Sequence, residues 1–158
     1  LYGGTGSLSK LQTMPDMLPD RLESGTHNMP GIAGLLEGIR YVQRTGVETI
    51  AAHERRLTAQ AVALLRQTEG IRLFWRDGLR HQTGVLSFVV EGVDCEELGE
   101  ALARQGIALR AGLHCAPLAH RTVGTLKTGT VRFSPSAFNT SQQVVQFAQI
   151  LQRTIRKM

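Results

Sequence analysis

The chain contains 158 residues, of which 42% are hydrophobic and 20% charged, and this is enough for one compact domain with a hydrophobic core. Its net charge of +5 comes from 18 basic and 13 acidic residues. The arginines are dispersed and only 5% of the residues are aromatic, which argues against a nucleic-acid-binding surface. No apolar run is long enough to span a bilayer and no signal-peptide pattern is present, so no membrane partner is expected.

The first part of the chain predicts a loop followed by two helices. Residues 1–30 are rich in glycine, proline, serine and threonine, which is typical of a loop. Residues 31–41 have apolar side chains three and four positions apart, which predicts a helix that ends before Gly46. A second stripe of apolar side chains predicts a helix over residues 47–68.

Two apolar runs in the middle of the chain predict a β-hairpin. Residues 71–75 and 84–90 are short and rich in β-branched and aromatic side chains, and the polar segment between them contains Asp77 and Gly78, a turn signal. The following helix has Asp94 as its N-cap and Glu97 in the capping-box position, and it ends at Gly106.

The last third of the chain predicts two more strands around a long loop. Residues 107–109 and 130–134 are expected to be strands, residues 110–129 a loop, and Thr140 the cap of a final helix. Long ordered loops in compact domains are usually functional. The expected fold class is therefore α/β, with a short, mostly antiparallel sheet covered by helices.

The predicted loop contains one of the two cysteines, Cys115, beside His114 and five residues after Arg110. A thiol near cations and glycines is typical of a nucleophile, because the thiolate is the reactive form. The alternative is a small buried apolar side chain, which is the reading we favour for Cys95. Two cysteines form no disulfide framework and suit a reducing cytoplasm. One His-Cys pair with His120 provides too few ligands for a structural zinc site, so no metal is expected.

Three segments, in this order and spacing, resemble the C-terminal part of a cysteine desulfurase in the class V aminotransferase family of pyridoxal-phosphate enzymes. The branch that they resemble is close to the group II desulfurases and the selenocysteine lyases. The segments are GGTGS at residues 3–7 with LPDRLESGTHN at 18–28, RAGLHCA at 110–116, and GTVRFS at 129–134 with FNT at 138–140.

The resemblance implies the small C-terminal domain of a fold type I enzyme. Residues 1–46 correspond to the tail of the large cofactor-binding domain, with a phosphate loop and a connecting helix. Residues 47–158 correspond to the small domain that contains the catalytic cysteine loop. The resemblance also implies a homodimer, a sulfur-acceptor protein as partner, and a place in sulfur metabolism such as iron–sulfur cluster assembly.

The family pattern implies roles for four residues in the second and third segments. Cys115 matches the nucleophile that takes the sulfur of a cysteine substrate held as a pyridoxal adduct, leaving a persulfide and releasing L-alanine. Arg132 matches the arginine that binds the substrate α-carboxylate, which a planar guanidinium holds through two parallel hydrogen bonds. Arg110 and His114 either hold the thiolate or make structural hydrogen bonds, and the alternative for Arg132 is a surface arginine on a strand.

The first segment matches the part of the family that binds the phosphate of pyridoxal 5'-phosphate. Thr26 corresponds to the residue whose hydroxyl reaches the phosphate across the dimer interface, and Gly25 permits a close approach of the backbone. The alternative for Thr26 is a helix cap, for which Asn28 competes. Gly4 and Thr5 belong to a glycine stretch that can cradle a phosphate.

The family holds its cofactor as a Schiff base on a lysine, and no lysine of this chain matches that position. The lysines are Lys10, Lys127 and Lys157, and the chain begins with Leu1. We therefore expect the C-terminal portion of a longer protein, which is inactive by itself. Three alternatives remain: a selenocysteine lyase or another class V aminotransferase-like lyase, a thiol redox or sulfur-carrier module that needs no pyridoxal phosphate, and a non-enzymatic interaction domain.

Overall fold

A computed structural model describes residues 8, 10, 12–75 and 82–158. The chain divides into two compact units, Leu1–Thr45 and Gly46–Met158. The N-terminal unit contains a short 3-10 helix, Asp20–Leu22, and helix α1, Met29–Thr45. The C-terminal unit contains α2 (Val47–Leu65), β1 (Ile71–Phe74), β2 (Leu86–Val90), α3 (Cys95–Ala103), β3 (Arg110–Gly112), α4 (Pro117–Thr122), β4 (Thr130–Phe133) and α5 (Ser141–Ile155).

Helix α1 confirms the prediction from apolar spacing and extends beyond residues 31–41 at both ends. Asn28 starts it, because its Oδ1 accepts a hydrogen bond of 3.0 Å from the Gly31 N–H. None of its side chains is buried within the described structure. The exposed apolar side chains of α1 are Met29, Ile32, Leu35, Leu36, Ile39 and Val42.

The C-terminal unit is built on a four-stranded sheet with the order β1-β2-β4-β3, in which every neighbouring pair is antiparallel. The predicted hairpin is confirmed as β1 and β2, while its Asp77-Gly78 turn lies outside the described residues. The fold class predicted from the sequence, a short antiparallel sheet covered by helices, is therefore correct.

The core lies between the sheet and three helices. Helix α5 packs against α2 and α3, while α3 packs against β3 and β4, and α2 against β1. The ring of Phe147 on α5 stacks on Phe133 at 4.9 Å and meets Phe88 at 6.3 Å, so the last helix is fixed to the two central strands. The largest fully buried apolar side chains are Leu57, Leu65, Leu86, Phe88, Leu98, Leu102, Val131, Val144 and Leu151.

The helix termini predicted from the sequence are present. Asp94 accepts hydrogen bonds from the backbone N–H groups of Glu96 and Glu97, at 2.8 and 3.1 Å. Thr140 and Gln143 form the reciprocal capping box at the start of α5. These two helices, α3 and α5, pack against each other, and α3 also packs against β3 and β4.

Two predictions about the last third of the chain are wrong. Residues 107–109 are not a strand, because the N–H of Ile107 still bonds to the carbonyl of Leu102 at the end of α3. The chain meets the edge of β4 three residues later, at Arg110. The segment predicted as a loop over residues 110–129 therefore contains strand β3, and also helix α4, which starts at Pro117 because the first helical position needs no N–H.

No helix in the described ranges is both long and apolar enough to cross a membrane.

Candidate active site on the cysteine loop

The site is built on the face of the sheet that points away from the three core helices α2, α3 and α5. Along β4, Val131 and Phe133 are buried in the core while Arg132 between them is half-buried, because successive side chains of a strand point to opposite faces. The register of the two edge strands places Arg110 directly opposite Arg132 and Gly112 opposite Thr130. Both arginines and the Thr130 hydroxyl therefore belong to the same face.

The chain leaves β3 through two consecutive residues in the left-handed backbone region. His114 has φ 51° and Cys115 has φ 59°, and neither is glycine. This conformation costs on the order of 1–3 kcal/mol per residue and is found mainly at functional sites. It leaves Cys115 exposed, with its Sγ 3.8 Å from a terminal nitrogen of Arg110. The guanidinium is thus placed where it can stabilise a negative charge on the sulfur.

His114 connects the cysteine loop to β4. Its Nε2 lies 3.1 Å from the Oγ1 of Thr130, while its Nδ1 is buried without a hydrogen-bond partner in the part of the chain that the structure describes. Burial, followed by the nearby charges of Arg132, His120 and Arg110, lowers the pKa of His114 from its usual 6.5. The ring is therefore neutral at physiological pH and adds no charge beside Cys115.

His120 and Thr125 hold the interior of the loop together. The side chain of His120 is buried on α4, and its Nδ1 lies 2.8 Å from the Oγ1 of the buried Thr125. The backbone of Thr125 also accepts a hydrogen bond from Gly129 at 2.8 Å, and the rings of His114 and His120 lie 5.8 Å apart. The loop that contains Cys115 is therefore held together by hydrogen bonds between its own residues.

Arg132 and Arg110 form a pair of like charges at facing positions. Such a pair destabilises a sheet unless an anion or a carboxylate compensates it. Neither arginine forms an ion pair with a carboxylate among the described residues, and the Nε of Arg132 is buried without a partner there. The arrangement matches an anionic ligand, since a guanidinium with a free donor can bind a carboxylate through two hydrogen bonds.

The residues predicted to contact a cofactor phosphate belong to the N-terminal unit. Gly25 adopts φ +74°, and no atom of the described residues lies within 4 Å of the position where a Cβ would be. Thr26 is exposed, and the helix cap that was the alternative role for it is provided by Asn28 instead. Gly4 and Thr5 lie outside the described residues.

Cys115, His114, Arg110 and Arg132 were predicted as site residues from the sequence, and the structure brings them together; Thr130, which contacts His114, was not predicted. The alternation of side chains along β4 could have indicated it, because Thr130 is two positions from Arg132 and its side chain therefore points to the same face of the sheet. His120 and Thr125 gave no such signal, since their pairing depends on the turn of α4. No group of three or more metal-ligating side chains occurs within the described ranges.

Comparison with known proteins identifies the family. The profile of the family described as Aminotransferase class-V matches residues 1–147. A cysteine desulfurase of Synechococcus elongatus is 42% identical over 142 residues, which cover 90% of this chain and 22% of that protein. A probable cysteine desulfurase of Mycolicibacterium paratuberculosis is 42% identical over 135 residues, which cover 85% of this chain and 19% of that protein.

Solved structures show the same relationship. The cysteine desulfurase of Thermococcus onnurineus, in its apo form, superposes with a TM-score of 0.79 at 29% identity. The cysteine desulfurase CsdA of Escherichia coli, in an S-sulfonic acid form, superposes with a TM-score of 0.79 at 26% identity. Each comparison covers 100% of this chain and 39% of the other.

The chain thus spans about a fifth of the length of these two curated relatives and about two fifths of the solved chains. Its fold is that of fold type I cysteine desulfurases, and the match to the family profile extends over nearly all of its residues. The chain therefore belongs to the class V aminotransferase family.

Proposed function

We propose that this chain is the sulfur-accepting portion of a pyridoxal-phosphate-dependent cysteine desulfurase, with Cys115 as the nucleophile. The observation that carries the proposal is the exposed Cys115 thiol beside Arg110, with Arg132 directly opposite Arg110 and without an acidic partner in the described structure. This arrangement offers a nucleophile and an anion site to one small molecule. L-Cysteine presents a carboxylate and a sulfur that match them.

In the proposed reaction, Arg132 binds the α-carboxylate and orients the substrate sulfur toward Cys115. The Cys115 thiolate attacks that sulfur, a sulfur–sulfur bond forms, and the bond between the substrate sulfur and its Cβ breaks. The electron pair of the broken bond remains on the carbon fragment, which takes up a proton and leaves as L-alanine. Arg110 stabilises the thiolate before the attack, and the neutral His114 fixes the loop through Thr130.

The cofactor contacts that we assign to this chain are contacts to the phosphate. The exposed Thr26 hydroxyl and the open backbone at Gly25 have the donor chemistry that a phosphate needs. Pyridoxal phosphate, when bound, supplies the electron sink that makes the substrate carbon–sulfur bond breakable. We assign residues 1–46, including Gly4 and Thr5, to the tail of a cofactor-binding domain and residues 47–158 to the small domain, and we place the lysine that holds the cofactor outside this chain.

The same proposal includes the protein partners and the cellular compartment. A homodimer allows Thr26 to reach the phosphate of the other subunit, and the persulfide on Cys115 needs a sulfur-acceptor protein, as in iron–sulfur cluster assembly. A reducing cytoplasm keeps both cysteines free. This chain without the lysine-bearing part is expected to be inactive.

The test measures alanine production by the full-length protein with cysteine and pyridoxal phosphate. The Cys115→Ala variant is expected to lose activity by about two orders of magnitude or more, because the attacking group is gone. Thr122→Ala, which removes an exposed hydroxyl from α4 in the same loop, is the control and should leave alanine production intact. Undiminished alanine production by Cys115→Ala would remove Cys115 from the mechanism, and production without pyridoxal phosphate would favour a cofactor-independent sulfur carrier.

A further inference from the structure

The two ends of the cysteine loop are tightly packed against each other. We call residues 113–128 the cysteine loop, and Gly112, Gly129 and the Cys95 side chain its neck. A Cβ atom at Gly129 would lie 2.9 Å from the Cα and from the carbonyl carbon of Gly112, and 2.9 Å from the Sγ of Cys95. Atoms do not approach a Cβ that closely, and two of the three neighbours are backbone atoms that cannot rotate away. Only glycine fits at residue 129.

The Cys95 side chain closes the neck from the core side. It is 6% exposed and comes from the first turn of α3, which Asp94 caps. Burial, with the charges of Asp94 and Glu96, raises the pKa of the Cys95 thiol from its usual 9.0, an effect that the Gly112 backbone partly offsets. The group is therefore an uncharged thiol at neutral pH, and its contacts at the neck are those of a small packing side chain.

The neck lies between the residues that define the site. Gly112 ends the strand that begins at Arg110, and Gly129 precedes Thr130, which contacts the Nε2 of His114 at 3.1 Å. A displacement of Gly129 would move Thr130, and with it the ring of His114 and the neighbouring Cys115. The Cys115 sulfur, next in sequence to His114, lies 3.8 Å from the Arg110 guanidinium at the other end of this chain of contacts.

We propose that Gly129, together with Gly112 and the Cys95 side chain, is a positioning device that sets where Cys115 lies relative to Arg110 and Arg132. None of these three residues is expected to touch the substrate. Their effect passes through Thr130 and His114 on one side and through β3 on the other. This inference rests on the proposed role of Cys115 as the reacting thiol.

The test compares two glycine-to-alanine substitutions, both at positive φ. Gly129→Ala introduces a Cβ into the neck at φ +64°. Gly106→Ala introduces one at φ +80°, just after α3, where no atom of the described residues lies within 4 Å. Both variants of the full-length protein are expected to lose stability through the positive φ. The measured quantity is the rate at which iodoacetamide alkylates Cys115 at fixed pH, followed by mass spectrometry of the peptide that contains it.

We expect Gly129→Ala to slow the alkylation of Cys115 by about threefold or more, because the thiol is no longer held beside Arg110. Gly106→Ala is expected to leave the rate at its original value despite a similar fall in the thermal midpoint. Equal rates in Gly129→Ala and the unmodified protein would overturn the proposal, and so would an equal slowing in both variants, since the effect would then be one of general stability.

A second variant keeps the test decisive where circular dichroism shows that Gly129→Ala does not fold. Cys95→Ala removes the atom that closes the neck and adds none, so a slower alkylation of Cys115 supports the proposal and an unchanged rate overturns it. Alkylation requires neither the cofactor nor turnover. The positioning proposal can therefore fail while the desulfurase proposal stands, and the activity of Cys115→Ala tests the latter separately.

Discussion

At the scale of single residues, the site contains two like charges that no carboxylate of the described residues compensates. Arg110 and Arg132 face each other on neighbouring strands, and His114 nearby has a lowered pKa and adds no third charge. The buried Nε of Arg132 has no partner among the residues described. A carboxylate bound there would satisfy this donor and relieve the repulsion between the arginines.

Replacement of Arg132 by lysine tests this interpretation. Lysine keeps the charge but loses the planar pair of donors, so we expect kcat/KM for cysteine to fall by the equivalent of about 2–4 kcal/mol in the full-length protein. Arg104→Lys, at the exposed residue that follows the C-terminus of α3, is the control and should leave the kinetics intact. Unchanged kinetics for Arg132→Lys would remove this residue from the substrate site.

The pKa of His114 predicts how stability depends on pH. Because the folded protein lowers this pKa below 6.5, the unfolded chain binds more protons than the folded chain at pH values between the two. The free energy of unfolding should therefore decrease as the pH falls below about 6.5. Denaturant titrations at several pH values, compared with those of His114→Gln, isolate this residue, and the same pH dependence in both proteins would contradict the assignment.

The sequence allowed the identities of the site residues to be predicted but not their connections. Arg132 between two apolar residues of a strand, and Cys115 in a glycine-containing loop, are recognisable from local pattern. The contact between His114 and Thr130 spans 16 positions and depends on the path of the loop. The left-handed backbone at His114 and Cys115 is equally invisible in the sequence, because neither residue type requires it.

At the scale of secondary-structure elements, the long helices followed from apolar spacing and from their caps. Strand β3 did not, because its three residues, RAG, have no apolar pattern and acquire their conformation by pairing with β4. Helix α4 has six residues and no side-chain cap, so only Pro117 marks its start. Both elements lie in the segment that positions Cys115, which explains why the sequence indicated a loop there.

The cap of α3 provides a prediction at this scale. Asp94 accepts two backbone N–H groups, and Asp94→Ala should lower the free energy of unfolding by about 1 kcal/mol. Asp94→Asn keeps an acceptor oxygen and should cost only a fraction of that. Chemical denaturation measures both values, and an equal loss in the two variants would show that charge rather than capping is responsible.

At the scale of the whole molecule, the two units differ in how they are stabilised. Every residue of the hydrophobic core cluster lies between Leu57 and Leu151, in the C-terminal unit. Helix α1 in the N-terminal unit has a row of exposed apolar side chains and no buried residue in the described structure. Folding of the C-terminal unit therefore draws on its own core.

This difference predicts that residues 46–158 fold when expressed alone. We expect a single cooperative unfolding transition, in heat or in denaturant, with a midpoint close to that of the entire chain. The far-ultraviolet circular dichroism, which reports secondary structure, and the near-ultraviolet circular dichroism, which reports side-chain packing, should change together. A broad transition without cooperativity would mean that the core of this unit is insufficient by itself.

Mass spectrometry can show directly whether Cys115 receives the sulfur of the substrate. The full-length protein, loaded with pyridoxal phosphate, is mixed with cysteine in the absence of an acceptor and digested without reductant. We expect one added sulfur atom on the peptide that contains Cys115 and none on the peptide that contains the buried Cys95. Formation of alanine with no added sulfur on Cys115 would contradict it.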